Sequence, residues 1–342
     1  MNVPFGLQLI PVGRGRPQPR CWLLTLALVL TSGLAHAQSC GSEGGVAVQV
    51  LGSGGPIADD NRASSAYLVW VDGKARVLID VGSGAQLRFA EAGARFVDLD
   101  AVLLTHLHAD HTADLPALLK SGFFSSRERS LVLAGPSGGG NARVSFPSIE
   151  DFLAALLQPG SGAYPYLGGY LDGSDGLPYL RVVTVEIEEP DDDADEDSDE
   201  EEEELELTRI TLRDSPVQLE AASGSHGPVP AAFYRVSAGG KRIVFAGDHD
   251  GYGDALAEFA EDADLLVLHM PIPDGAGRAA RALHATPARL GEIANEAGAE
   301  HVLLSHFMAR SLAKLDENLA SLQASYTGET TIGSDLLCLP LP

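Results

Sequence analysis

The chain is short of cations, cysteines and long apolar runs. Lys and Arg number 23 against 48 Asp and Glu, for a formal net charge of −25. That balance disfavours a sequence-independent grip on nucleic acid, in which Lys and Arg displace counterions from phosphates. Residues 186–206 hold 16 of the acids. Without that run, and without three arginines near the N-terminus, 32 acids still face 20 bases. Three cysteines are too few for a disulfide-rich scaffold, and none has the paired spacing of a zinc or redox motif. No apolar stretch reaches the roughly 20 residues of a membrane span.

What the chain has is bulk and an apolar core. Its 342 residues are 45% hydrophobic, enough for one large domain or two small ones. The first 37 residues read as an export signal: Arg14, Arg16 and Arg20, the apolar run 22–30, then Ala35-His36-Ala37 as a small-x-small cleavage site. The expected mature protein, residues 38–342, is periplasmic or secreted and free of the membrane. Cys40 and Cys338 then stand at its two ends. An oxidising compartment permits a disulfide between them, and the sequence leaves that pairing open. The acidic run 186–206 reads as a solvated, disordered insert.

Alternating β-branched residues predict strands at 46–51, 66–71, 76–79, 101–104, 130–134, 180–187 and 207–212. Asp72-Gly73 between two of them is a hairpin turn. Further strands are expected at 232–237, 242–246, 265–268 and 301–304, with helices at 112–121, 147–157, 253–261, 286–297 and 312–324. Thr286-Pro287 opens its helix with a hydroxyl cap and proline in the first turn. Many strands followed by β-α-β alternation in both halves give an α/β (α+β) class with a two-sheet core and helices outside.

One stretch concentrates the chemistry. THLHADH puts His106, His108, Asp110 and His111 directly after an apolar strand. His106 and His108, two apart on an extended strand end, project toward one point, while Asp110 and His111 reach a second. Imidazole and carboxylate together suit Zn, Mn or Fe. The cluster needs more donors to close a two-metal site. His226, Asp248, His284 and His306 each sit at the end of an apolar strand or on the loop beside it. Taken singly each is an ordinary hydrogen-bonded residue; together with the cluster they point to metal.

On these residues the chain resembles the metallo-β-lactamase-fold hydrolases. HLHADH matches the H-x-H-x-D-H signature, and the likeness extends over nearly all of residues 46–332. LGSGGP, LIDVGSGA, Ala134-Gly135-Pro136, SHGPVPAAFYRV, VFAGD and LHATPARLGEIANEAGAEHVLLSHF carry it toward the ribonuclease Z and arylsulfatase-like branch. The resemblance implies a four-layer αββα sandwich with two divalent ions, zinc first, with manganese or iron as alternatives. His106, His108 and His226 would hold one ion, Asp110, His111 and His306 the other, and Asp248 would bridge them. Asp110 and His284 would be catalytic, as proton acceptor and as donor to the leaving group. Asp80 would brace the ligand loop. The family also dimerises commonly, so a homodimer is admitted.

The departures shape the expected function. A bridging carboxylate at Asp248 argues against antibiotic hydrolysis. His249-Asp250 and His269-Met270 stand where ribonuclease Z tends to carry threonine and His-Glu, which makes His249 and His269 extra pocket candidates. Residues 135–180 lack a basic Gly-Pro-rich arm for transfer RNA. The expectation is therefore an exported dinuclear hydrolase cleaving a small phosphodiester or sulfate ester through a water made acidic by two metals, with nucleic acid not a partner. The alternatives are a ribonuclease Z-like RNA 3′-processing endonuclease and a lactonase or thioesterase. Outside the enzymes stands a metal-stabilised binding protein.

Overall fold

Val46–Gly52 (β1), Ala66–Val71 (β2) and Lys74–Ile79 (β3) are buried along nearly their whole length. Their alternation therefore sorts residues between two apolar layers, not between core and solvent. In β1, Val46, Val48 and Val50 face one layer while Ala47 and Leu51 face the other. Such strands need cover on both faces. The computed structural model provides it, and describes residues 40–41, 44–140, 143–188 and 205–342. The expected export signal and most of the acidic run lie outside the described residues.

The remaining strands are Ala101–Leu103 (β4), Leu131–Pro136 (β5), the two-residue ribbon Gly139–Gly140 (β6) and Ser145–Phe146 (β7), and Leu180–Val185 (β8). The second half adds Thr208–Ile210 (β9), Gln218–Gly224 (β10), Ala231–Ala238 (β11), Lys241–Phe245 (β12), Leu265–His269 (β13), His301–Ser305 (β14), Glu329–Ile332 (β15) and Cys338–Leu341 (β16). They form two seven-stranded sheets, ordered β16-β1-β2-β3-β4-β5-β8 and β15-β14-β13-β12-β11-β10-β9.

The sheets pack face to face through Val48, Tyr67, Val69 and Leu103 of one and Tyr234, Val236, Phe245 and Val267 of the other. On the outside of the first sheet lies the helix Leu115–Phe123, which buries Leu115, Leu118 and Leu119. On the outside of the second lies Pro287–Glu296, burying Leu290, Ile293 and Ala294. The result is the four-layer αββα sandwich. Thr286 caps that second helix by accepting a hydrogen bond from the Arg289 N–H at 3.4 Å, as its sequence predicts.

Cys40 and Cys338 are joined in a disulfide with their Cα atoms 5.5 Å apart. It ties the first described residue to β16, the strand that flanks β1. Several elements differ from expectation. The helix expected from residue 112 starts at Leu115, because Ala109–Thr112 forms a separate helical turn. The strand β10 was not expected, since QLEAASG lacks β-branched residues; pairing with β11 along its full length forms it regardless. β15 and β16 are likewise defined by their partners β14 and β1.

Candidate metal centre

The proposed donors converge at the carboxyl ends of the parallel strands. β4 runs into His106 to His111; β12 is followed by Asp248, β13 ends in His269, and β14 is followed by His306. His226 sits in the turn between β10 and β11. Two glycines let the backbone close around them. A Cβ on Gly82 would lie 2.1 Å from the Asp110 carbonyl oxygen, and one on Gly55 3.0 Å from the His306 ring. That is what LGSGGP and DVGSG accomplish. His306 itself has φ 54° and Asp80 φ 56°; such left-handed backbone is uncommon outside glycine and concentrates at functional sites.

His106, His108 and His226 form one group, with donor atoms within 4.8 Å of one another. His111, Asp248, His269 and His306 form a second, and His226, Asp248 and His284 a third. Asp248 lies between the nitrogens of both halves of the centre. Its Oδ2 is 3.9 Å from His226 Nε2 and 3.8 Å from His111 Nε2, and its Oδ1 is 3.4 Å from His306 Nε2. Asp110 Oδ2 lies 3.2 Å from His306 Nε2 and 3.7 Å from His111 Nε2.

The donor set fits divalent ions. His226 Nδ1 donates to the Leu283 carbonyl at 2.7 Å, which leaves its lone pair on Nε2. The Nε2 atoms of His106 and His226 are buried and meet no hydrogen-bond partner, an arrangement that is costly unless something else occupies the lone pair. His111 Nε2 and His306 Nε2 are 3.3 Å apart. Two nitrogens on one tetrahedral ion with bonds of about 2.0–2.1 Å sit roughly 3.3 Å apart.

Electrostatics agree for three of the histidines and not for His111, whose ring keeps its proton at pH 7 until an ion displaces it. Burial lowers His106, His108 and His226 from their ordinary values, so these imidazoles are neutral at pH 7 and free to ligate. Burial also works against charge on His111, but the Asp80 carboxylate and its hydrogen bond outweigh it and raise the ring to about 9. Burial would raise Asp110, yet the His306 contact and the neighbouring His111 bring it down to about 2. Asp248, fully buried, is likewise held below the usual carboxylate range by the imidazoles around it.

Supporting contacts lock this arrangement. Asp80 accepts from the Thr105 N–H at 2.8 Å and the Thr105 hydroxyl at 2.9 Å, and its Oδ2 is 2.7 Å from His111 Nδ1. The Thr105 hydroxyl is also 3.2 Å from His106 Nδ1. His269, marked from sequence only as an extra pocket candidate, spans Asp248 Oδ1 at 2.7 Å and the Tyr67 hydroxyl at 3.0 Å. His249, the other extra candidate, is buried beside Phe233 with neither ring nitrogen partnered and joins none of the donor groups. His284 is partly exposed, with Nδ1 3.8 Å from Asp248 Oδ2; burial brings its pKa down to about 4. Thr105 and Tyr67 had no assigned role in the sequence. The one available signal was that a buried tyrosine hydroxyl must find a partner.

A cleft of about 370 Å³ flanks the His226 turn, lined by Gly138–Gly140, Ser223, Ser225, Pro228 and Tyr252 among others. It offers a substrate glycine backbone, hydroxyls and an exposed aromatic ring next to the donors.

Comparison with known proteins changes one expectation. Ribonuclease Z of Haloferax volcanii is 28% identical over 318 residues, spanning 85% of this chain and 94% of its own length. Ribonuclease Z of Mycobacterium bovis is 27% identical, spanning 84% and 96%. Among solved structures, human tRNase Z, short form, superposes with a TM-score of 0.61 at 20% identity over 86% of this chain and 99% of its own. The metallo-beta-lactamase fold protein YhfI of Bacillus subtilis gives 0.61 at 23% identity over 86% and 98%. The last two establish the fold. The expectation that nucleic acid is not a partner and that the substrate is a small ester is corrected by the ribonuclease relatives. It rested on the expected export signal, the missing basic arm and net charge; the last is a sum over the whole chain, whereas binding of a phosphodiester depends on local charge at the site. Residues 59–289 match the family model of the metallo-beta-lactamase superfamily. The chain belongs to that superfamily and is a metal-dependent hydrolase.

Proposed function

We propose that this hydrolase is a ribonuclease Z-like phosphodiesterase that cleaves RNA. The observation that carries the reading is the gathering of His106, His108, His111, His226, Asp248 and His306 in buried donor groups, with Asp110 beside His111 and His306, in a chain aligned over 85% of its length with a protein named Ribonuclease Z. His106, His108 and His226 would hold one ion and Asp110, His111 and His306 the other, with Asp248 between. Such ions, zinc in this reading, supply Lewis acidity and a nucleophilic water at neutral pH.

The chain's own residues do the rest. Asp110, held ionised, accepts the proton of the attacking water as the new O–P bond forms. His284 stands at the open side of Asp248 with Nδ1 unpartnered. The ring is neutral, so it donates its one N–H as a hydrogen bond to the leaving oxygen as the old P–O bond breaks, and that oxygen takes its proton from solvent water. Asp80, Thr105, His269 and Tyr67 hold the ligands in register, the task of supporting hydrogen bonds at a metal site.

The reading includes export to the periplasm or beyond. The Cys40–Cys338 disulfide supports it, because such bonds persist in oxidising compartments. Cell fractionation with thiol labelling checks this: a reduced, cytoplasmic protein would refute export.

The activity test uses the zinc-loaded protein and a stem RNA carrying a 3′ trailer. The expected result is cutting at one defined position, abolished by a chelator and by Asp110→Ala. A metal-replete protein that leaves this RNA intact would overturn the ribonuclease reading.

A further inference from the structure

The rim opposite the metal centre carries a concentration of positive charge that the reaction does not use. A cavity of about 710 Å³ opens where the parallel strands of the first sheet begin. Lys74 and Arg76 come from the start of β3, Arg129 from the approach to β5, Arg181 from the start of β8, and Arg213 from the segment after β9. Five of the 20 cations in residues 38–342 thus share one wall. A sixth, Arg127, lies behind it with its guanidinium donating to the carbonyls of Leu99 and Ser130. Burial, helped by the neighbouring Arg129, brings Arg127 down to about 10.

The acids present do not cancel this charge. Asp100 is committed to Arg76 and Arg129 and accepts from the Ser215 hydroxyl at 2.6 Å. Asp98 is drawn away to Arg95 at 3.1 Å. Among the described residues Lys74, Arg181 and Arg213 form no ion pair, leaving Asp214 as their one opposing carboxylate. Arg76 Nε is buried without a hydrogen-bond partner, an unmet donor on the wall of a polar cavity. Tyr179, 47% exposed, adds an aromatic face to the same wall.

Cations that can close on phosphate oxygens beside a ring on which a base can stack are the elements of nucleotide recognition. At physiological ionic strength charges more than about 8 Å away are largely screened, so the acidic character of the whole chain does not decide binding here. We propose that this cavity is a second ligand site, remote from the metals, that takes a phosphate-bearing nucleotide unit. The site is independent of the ribonuclease reading: a protein that cuts no RNA can still bind there, and one that cuts RNA can lack it.

Calorimetric titration with adenosine 5′-monophosphate tests this. The metal-ligand variant Asp248→Asn removes the competing site at the centre and is expected to bind the nucleotide within about threefold of the unaltered protein. The double variant Lys74→Gln, Arg213→Gln changes two exposed side chains without hydrogen-bond partners among the described residues. It is expected to keep its metal and to bind at least tenfold more weakly. Tyr179→Ala is expected to weaken the nucleotide and leave inorganic phosphate unchanged. A single-stranded adenylate oligomer distinguishes the source: tighter binding that falls with added salt marks an RNA chain, and affinity equal to the mononucleotide marks a free nucleotide. Loss of binding in Asp248→Asn, or unchanged binding in the double variant, would overturn the proposal.

Discussion

In both sheets, counting from β16 in the first and β9 in the second, three antiparallel pairings are followed by three parallel ones. At the fourth strand each sheet leads into an aspartate, Asp80 directly after β3 and Asp248 three residues after β12. The two do different work. Asp80 hydrogen-bonds Thr105 and His111 from behind, whereas Asp248 stands among His111, His226, His269 and His306. The first sheet delivers its donors in one turn after β4. The second delivers them one at a time, from three separate loops. A single turn needs only its own backbone to be right; the dispersed donors need the register of the whole second sheet.

That contrast orders the expected effects of substitution. Asp248→Asn keeps the side chain's shape and removes the charge facing four imidazoles. Metal affinity should fall by more than the roughly 100-fold ceiling typical of a supporting partner, read as ions per chain. If Asp248→Asn keeps two ions while Asp80→Asn loses them, the division of labour between the sheets is reversed.

The outer edges of the sheets differ too. β16 is anchored by the Cys40–Cys338 disulfide, while its counterpart β9 has no such link among the described residues. Cys338→Ser should lower stability by about 2–4 kcal/mol, the usual value of such a cross-link. Urea denaturation reads it, and an unchanged midpoint would mean that β16 is held by its pairing with β1 alone.

The same contrast explains what was legible in the sequence. Strands such as β1 and β2 announce themselves through β-branched alternation, and the turn after β4 through four donors in six residues. His226, Asp248 and His306 could be picked out only by their place beside apolar strands and by resemblance. Tyr67 was read as one residue of a strand, because its partner His269 is 202 positions away and only sheet packing brings them together. β10 escaped notice because its small residues carry no strand signal and its partner β11 defines it. Charge misled for a related reason. A net value of −25 sums over the chain, and it concealed the five cations gathered at the far rim.

Asp80→Asn should cost about 10–100-fold in metal affinity, as expected for a group that orients a ligand histidine. Competition with a chelator measures it. Stability in the metal-loaded state should change little, because the ions continue to tie the loops together. A loss as large as that of Asp248→Asn would make Asp80 an equal of its counterpart and erase the asymmetry.

The smallest expected effect tests the second sheet's own brace. Burial pushes the Tyr67 phenol well up, so its hydroxyl stays protonated and donates to His269 Nε2. Burial brings His269 down to about 3, so the neutral ring donates from Nδ1 to Asp248 Oδ1. The chain Tyr67–His269–Asp248 thus orients the Asp248 carboxylate from the first sheet across the core, as Asp80 orients His111 within it. Tyr67→Phe keeps the ring and strands a buried His269 nitrogen, at a cost of about 1–3 kcal/mol. Metal affinity should fall less than in Asp80→Asn, since His269 keeps its bond to Asp248. A lowered urea midpoint with a modest chelator shift is the expected pair of readings. An unchanged midpoint would show that the hydroxyl contact contributes nothing, leaving His269 alone to position Asp248.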